Sequence, residues 1–192
     1  MAESRYRWLI LALAASTMTL VMGMPSMSLP VLFPEIAAEL SLNLVQVGTI
    51  WGISSLTGIV MALMGGAIGD RFGAKYTLMI ACLLTGVLGA SRGFSTTFAM
   101  LTATTLLAGL IPSAIPTNVH KTCGVWFSGR HLGLANGVVS AGMALGFMLG
   151  SLLAASVLSP WLGGWRNVIF FYGVLAIGVA ALWALTRPAP AA

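Results

Sequence analysis

Six apolar stretches, at about 8–28, 46–68, 76–91, 98–119, 134–157 and 165–185, alternate with short polar links and fill most of the 192 residues. All but the third reach the roughly 20 apolar residues that an α-helix needs to cross a bilayer core. The pattern predicts an all-α membrane protein with six transmembrane helices in one bundle over residues 1–192. Pro25 and Pro30 close the first stretch, and Pro30 and Pro34 open a polar link. Glu35 and Glu39 lie there on a short amphipathic turn with Ile36 and Leu40, read as a solvated loop face.

The stretches differ in kind. The second carries small residues at four-residue spacing, Gly58, Ala62 and Gly66, with Gly65, Gly69 and Gly73 on an adjacent stripe. The fifth repeats the theme with Gly142, Gly146 and Gly150, flanked by Ser151 and Ala155. Such rows let helix backbones approach closely, which is a main source of association in lipid. Each helix is therefore expected to lie flat against a partner. The short third stretch ends at Arg92-Gly93 and has no polar group beyond Cys82 and Thr85, so it reads as a lipid-facing outer helix.

The fourth is polar: Thr102, Thr104, Thr105, Ser113, Thr117 and Asn118 lie along it, and Pro112 and Pro116 each remove a backbone hydrogen bond. A broken helix is tolerated at membrane depth where neighbours or a water-filled cavity satisfy the freed carbonyls. Thr102, Thr105, Ser113, Thr117 and Asn118 are thus candidate cavity-lining residues. The competing reading has the hydroxyls bond back to their own helix. The link that follows, 120–132, holds Lys121, Arg130, His120 and His131 around Trp126-Phe127, an interfacial anchor. His120, Cys123 and His131 match no compact tetrahedral motif and lack a fourth ligand, so no metal is expected. Pro160 and Gly163-Gly164 turn the chain, and Trp165-Arg166 anchors the sixth stretch.

Composition fixes the class. Hydrophobic residues make up 58%, charged residues only 7%, and mean hydropathy is +0.98, against about a quarter charged in a soluble domain. This is an integral membrane protein. The net charge of +5 is spread one or two residues at a time over short links, so it signals topology and points to no nucleic acid. Placing the spans alternately puts Arg5, Arg7, Arg71, Lys75, Lys121, Arg130 and Arg187 on one side and Arg92 and Arg166 on the other, seven against two. The larger set marks the cytoplasmic side, with both termini inside. The apolar run continues well past Ala12-Leu13-Ala14, so no signal cleavage is expected there. Cys82 and Cys123 read as free thiols.

Three charges sit in a single glycine-rich turn, Gly66-Ala67-Ile68-Gly69-Asp70-Arg71-Phe72-Gly73-Ala74-Lys75. Concentrated between two spans, they mark a short loop at the membrane surface. The pattern Gly-x-x-x-Asp-Arg-x-Gly-x-Lys resembles the loop between helices 2 and 3 of the major facilitator superfamily of secondary transporters. Ala74 stands where that family usually has a basic residue. Two further segments resemble the superfamily: Trp126 to Gly137, with its aromatic pair, Arg130 and small-residue helix start, and the Gly-Gly-Trp-Arg entry to the sixth span.

The resemblance implies a solute carrier that works by alternating access, with two six-helix halves rocking about a central site. The chain looks like the first half alone, itself two three-helix inverted repeats; the glycine-striped spans hold the same ordinal place in each set of three. It also implies that Gly66, Asp70, Arg71, Gly73 and Lys75 form a conformational latch at the cytoplasmic side, the acid meeting a helix end of the other half. A local ion pair that only sets topology is the alternative. Proton-coupled drug exporters of the family commonly have an arginine in helix 4, where this chain has Thr105, four residues before Gly109. Spans one and four carry no ionisable side chain at depth, which argues against proton coupling through this half.

The segment from Thr117 to Gly137 resembles carriers of small anions such as cyanate, nitrate or monocarboxylates, and Lys121, which shares the cytoplasmic loop with Arg130, suits an anion near the cytoplasmic mouth. Expected partners are the bilayer, a small solute, and either a C-terminal six-helix half or a second copy. No cofactor is expected. Nothing has the spacing of a nucleophile with base and orienter, a phosphate-cradling loop or a metal ligand set, so the chain does not read as an enzyme. A non-transporting six-helix scaffold or assembly partner in a bacterial-type plasma membrane is the competing class.

Overall fold

A computed structural model describes residues 2–187, with the side chains of residues 2–4, 54–57 and 59–63 outside that description. The chain forms six long helices. α1 runs through Ala2–Ser16, a π-helical segment Thr17–Gly23, and Met24–Leu40. α2 is Leu44–Phe72, and α3 is Ala74–Ser91 followed by a 3-10 turn at Arg92–Phe94. α4 comes in two pieces, Phe98–Leu110 and Ala114–Trp126. α5 joins Arg130–Leu153, a π segment Ala154–Leu158 and Ser159–Leu162, and α6 is Trp165–Leu185. Among the described residues, five of these are long and apolar enough to cross a membrane, and the Leu44–Ile53 part of α2 is a shorter apolar helix.

The helices pack in a pattern that survives exchanging the first three with the last three. α1 lies against α5 as α4 lies against α2, α3 lies against α6, and α3 touches α4 as α6 touches α1. That is the contact map of two three-helix units related by inversion.

Glycine makes the two equivalent seams. In α5, a Cβ at Gly146 would stand 2.6 Å from the Thr19 carbonyl oxygen, and one at Gly150 would stand 2.3 Å from that of Met24. In α2, a Cβ at Gly65 would fall 2.4 Å from the Ala114 Cβ. The α5 row and the Gly65–Gly69 stripe of α2 are therefore used inside this bundle, where close packing leaves no room for a methyl group. In the other α2 row a Cβ on Gly58 would meet the Ser113 side chain at 2.9 Å and one on Gly66 the Thr117 side chain at 3.7 Å. The Ala62 side chain of the α2 row lies outside the described residues.

Three other expectations change. α1 does not stop near Ser28 but continues to Leu40 with Pro30 and Pro34 inside it. The cost of these prolines is offset by burial of Leu29, Leu32, Phe33 and Ile36 in a core with Trp165, Ile169 and Tyr172. α4 likewise continues past Val119 to Trp126, because no breaker intervenes before the link at Phe127–Gly129; His120, Lys121 and Cys123 are helical. Finally, α3 is lipid-facing on one side only. Ile80, Leu83, Leu84 and Val87 are exposed, while Cys82 and Leu78 are buried with α6 residues Ala176, Val179 and Ala180.

Candidate functional site

The break in α4 opens onto a cavity of about 240 Å³. Ile111 to Ser113 leave the helix between the two pieces, and Ser113 and Pro112 line the space together with Thr105 from the piece before. Pro25 and Ser26 of α1, Trp51 of α2 and Thr85 of α3 close the other walls. Among the described residues of the lining, Arg92 alone is ionisable. The turn after α3 directs it inward, its Nε donating to Gly89 O at 3.2 Å. On its far side a smaller space of about 30 Å³ adjoins the Ser28–Tyr172 hydroxyl pair, 2.7 Å apart; that is room for a water.

The candidate lining residues of α4 divide. Thr105 and Ser113 face the cavity. Thr102 is turned away and donates to Phe98 O at 2.8 Å, the back-bonding alternative. Asn118 is fully buried in the α2–α4 seam, its Nδ2 bonded to Gly65 O and Ala114 O at 3.0 and 2.8 Å. Gly69 leaves the space it occupies, since a Cβ there would lie 1.7 Å from Asn118 Oδ1. Thr117 sits in the same seam, 3.7 Å from the position of a Cβ on Gly66. Of the five candidates, Thr105 and Ser113 line this cavity, whereas Thr102, Thr117 and Asn118 are not in its lining.

The glycine turn lies at one end of the bundle. Gly73, at φ +83°, caps α2 and starts α3, a conformation that costs other residues strain. Asp70 pairs with Lys121 of α4 at 2.7 Å, and the same ammonium donates to Gly66 O at 2.6 Å. Gly66, Asp70 and Lys121 therefore meet as one cluster across the α2–α4 seam. Arg71 does not join them; it is exposed and lies over the Phe72 ring, 5.6 Å from its centroid. Lys75 reaches instead to the Thr186 carbonyl after α6. Arg130 is exposed at the start of α5. A cavity of about 400 Å³ adjoins Asp70, Lys75, Lys121 and Arg187.

The opposite end carries a second cluster that was read as solvated loop. Glu35 accepts from the Trp165 backbone N–H at 2.8 Å and from Ser159 Oγ at 2.6 Å. Glu39 accepts from Trp165 Nε1 and from Arg166 Nη2, the latter at 2.8 Å. Arg166 Nη1 in turn donates to Gly93 O at 2.8 Å and Ser95 O at 2.6 Å. Glu35 is not solvated loop but caps the start of α6, where unpaired backbone N–H groups favour negative charge. Glu39 remains exposed and, among the described residues, bonds only the Trp165 and Arg166 side chains.

Known proteins with matching sequence and fold place this architecture. A family model described as Major Facilitator Superfamily matches residues 11–192. The chain is 24% identical over 158 residues to the hexuronate transporter of Bacillus subtilis, covering 81% of this chain and 36% of that protein. It is 28% identical over 189 residues to the 4-hydroxybenzoate transporter of Acinetobacter baylyi, covering 90% of this chain and 39% of that one. Its fold superposes with a TM-score of 0.81, at 18% identity, on a bacterial homologue of the human lysosomal transporter Spinster in an inward-facing, occupied conformation, over 96% of this chain and 45% of that structure. The chain thus spans less than half the length of the proteins it matches. With the family model covering nearly all of it, the chain belongs to the Major Facilitator Superfamily.

Proposed function

We propose that this bundle moves a small organic or inorganic anion across a bacterial plasma membrane by alternating access, together with a second six-helix bundle. The observation that carries this reading is the cavity beside the broken α4, where an arginine is the one ionisable group among the described lining residues. Irregular backbone at membrane depth and an intramembrane charge both mark substrate paths. The printed names of the two relatives, carriers of a hexuronate and of 4-hydroxybenzoate, favour organic acids. The second bundle is a C-terminal half or a second copy in the same orientation. Both termini lie on the cytoplasmic side, following the basic bias. Tyr6 and Arg187 meet at the end of the bundle that holds Asp70 and Lys121.

In this reading Gly66, Asp70, Arg71, Gly73 and Lys75 form the cytoplasmic latch, with Lys121 as the partner of Asp70. The latch biases one conformation over the other. Uptake of labelled glucuronate and 4-hydroxybenzoate into proteoliposomes tests the proposal, with the mass of the solubilised particle measured on the same preparation. Accumulation by a two-bundle particle is expected. Folded two-bundle particles that take up no anion would sink the carrier in favour of a membrane scaffold, and robust uptake by a strictly monomeric 192-residue particle would sink the second bundle.

A further inference from the structure

Threonines in this bundle commonly donate their hydroxyl proton to the carbonyl four residues back, as Thr17, Thr77, Thr102 and Thr122 do. Two buried threonine hydroxyls donate to nothing within the described residues. Thr85 Oγ1 and Thr105 Oγ1 are buried, have no hydrogen-bond partner among the described residues, and line the cavity that Arg92 enters. Thr105 is only 1% exposed. A buried polar atom left unpaired is costly and calls for an explanation, such as a missing water, ion or ligand. Arg92 adds to the same account. Its Nε is used on Gly89 O, while its two terminal nitrogens make no hydrogen bond within the described structure.

We infer that Arg92, Thr85 and Thr105 form a subsite for the carboxylate of a small organic acid. The inference deepens, and rests on, the carrier reading above. The terminal nitrogens of a guanidinium present a planar fork matched to two carboxylate oxygens, and the two hydroxyls donate to lone pairs the fork leaves over. Leu29, Ala108 and Trp51 give the same cavity an apolar wall for the body of the acid. Its volume of about 240 Å³ is many times the ~10–15 Å³ that admits one water. The turn that carries Arg92 is also held from outside the cavity: Arg166 Nη1 donates to Gly93 O within the turn and to Ser95 O just after it. Capping of the last α3 carbonyls explains the Nε bond alone. It leaves the two hydroxyls and the fork unaccounted for.

The test needs no transport. In the full chain with Cys82→Ala and Cys123→Ala, a cysteine introduced by Ser113→Cys at the cavity wall is challenged with a small water-soluble thiol reagent. Benzoate is expected to protect it and its neutral isostere benzamide to fail. Arg92→Gln should weaken benzoate protection roughly 10- to 100-fold, the loss expected for a charged hydrogen-bonded pair, and Arg92→Lys less. Should Arg92→Gln not fold, Thr105→Val keeps the side-chain shape and should weaken protection roughly 5-fold. Equal protection by benzoate and benzamide would overturn the subsite, as would benzoate protection indifferent to the Arg92→Gln or Thr105→Val change. Arginine-dependent protection in a preparation that transports nothing would keep the subsite and sink the carrier. Uptake of anions without such protection would do the reverse.

Discussion

The two ends of the bundle spend their few acids differently. At the end with α6's start, Glu35 and Glu39 bind Trp165, Ser159 and Arg166, and Arg166 reaches on to Gly93 and Ser95. One connected network there joins α1, the α3–α4 link, α5 and α6. At the other end, among the described side chains, Asp70 holds one ion pair with Lys121, its side chain 74% exposed, while Arg71 and Arg130 make no bond to it. The first end is fixed by many bonds to backbone and side chain. At the second, Lys121 also bonds Gly66 O, Lys75 the Thr186 carbonyl and the Arg187 N–H the Tyr6 hydroxyl, but the acid itself makes a contact that water can replace at little cost. In the proposed carrier, the acid in the glycine turn would be the adjustable contact that rocking needs.

Breaking the fixed end should have the largest effect. Arg166→Ala removes four bonds and leaves Gly93 O and Ser95 O without their donor; at roughly 1.5–3 kcal/mol for a charged hydrogen bond, discounted for partial exposure, the loss should be roughly 2–4 kcal/mol of stability. Denaturant unfolding in detergent measures it. A midpoint equal to the parent's would mean that the two ends do not differ in the way described.

Asp70→Asn probes the other end and should act on function instead. A latch of about 1–3 kcal/mol shifts a two-state equilibrium roughly 5–150-fold, so transport by the complete carrier should fall by about that range while the unfolding midpoint hardly moves. Unchanged transport would reduce the turn to a topology signal. The inner end is also where labelling at Ser4 and at Ala189 should report the cytoplasmic side; reaction from outside at either position would overturn the orientation.

Between the ends, the cavity and the α2–α4 seam can be told apart by chemistry. In a background without Cys82 and Cys123, cysteines at Thr105 and Ser113 should react with a small water-soluble thiol reagent. Cysteines at Thr102 and Asn118 should stay inert, as at the apolar Leu106. Equal reactivity at all four positions would dissolve the distinction.

The sequence carries most of this fold, because lipid leaves a chain few options: long apolar runs become helices, and glycine rows become seams. The glycine turn and the break in α4 were equally legible, each having a local chemical cause in Gly73 and Pro112. Three things were not. Which face of α4 meets the cavity depends on the break angle, so Asn118 and Thr102 could not be separated from Thr105 and Ser113 by composition. The prolines at 30 and 34 read as a helix end because their local cost is visible in sequence and the packing that offsets it is not. Arg92 was passed over as a charge at the membrane surface, because nothing in the neighbouring sequence shows that its side chain folds back along α3 to Gly89 O and into the cavity.

The smallest effect is the one that decides what the latch is made of. In the structure Asp70 meets Lys121 and not Arg71, whose guanidinium rests on Phe72. A double-mutant cycle of Asp70→Asn with Lys121→Gln should therefore show a coupling of roughly 0.2–1 kcal/mol, the range for an exposed pair, and a cycle with Arg71→Gln should show about none. Stability in detergent is the readout, because it compares the same pair in the same bundle without asking the bundle to move. The pair is exposed, so raising the salt concentration should shrink the first coupling further. Lys121 also donates to Gly66 O, a bond that Lys121→Gln loses in both arms of its cycle and that cancels from the coupling. A coupling of Asp70 to Arg71 as large as that to Lys121 would mean that the turn closes on itself, and the inner end would then lose its tie to α4.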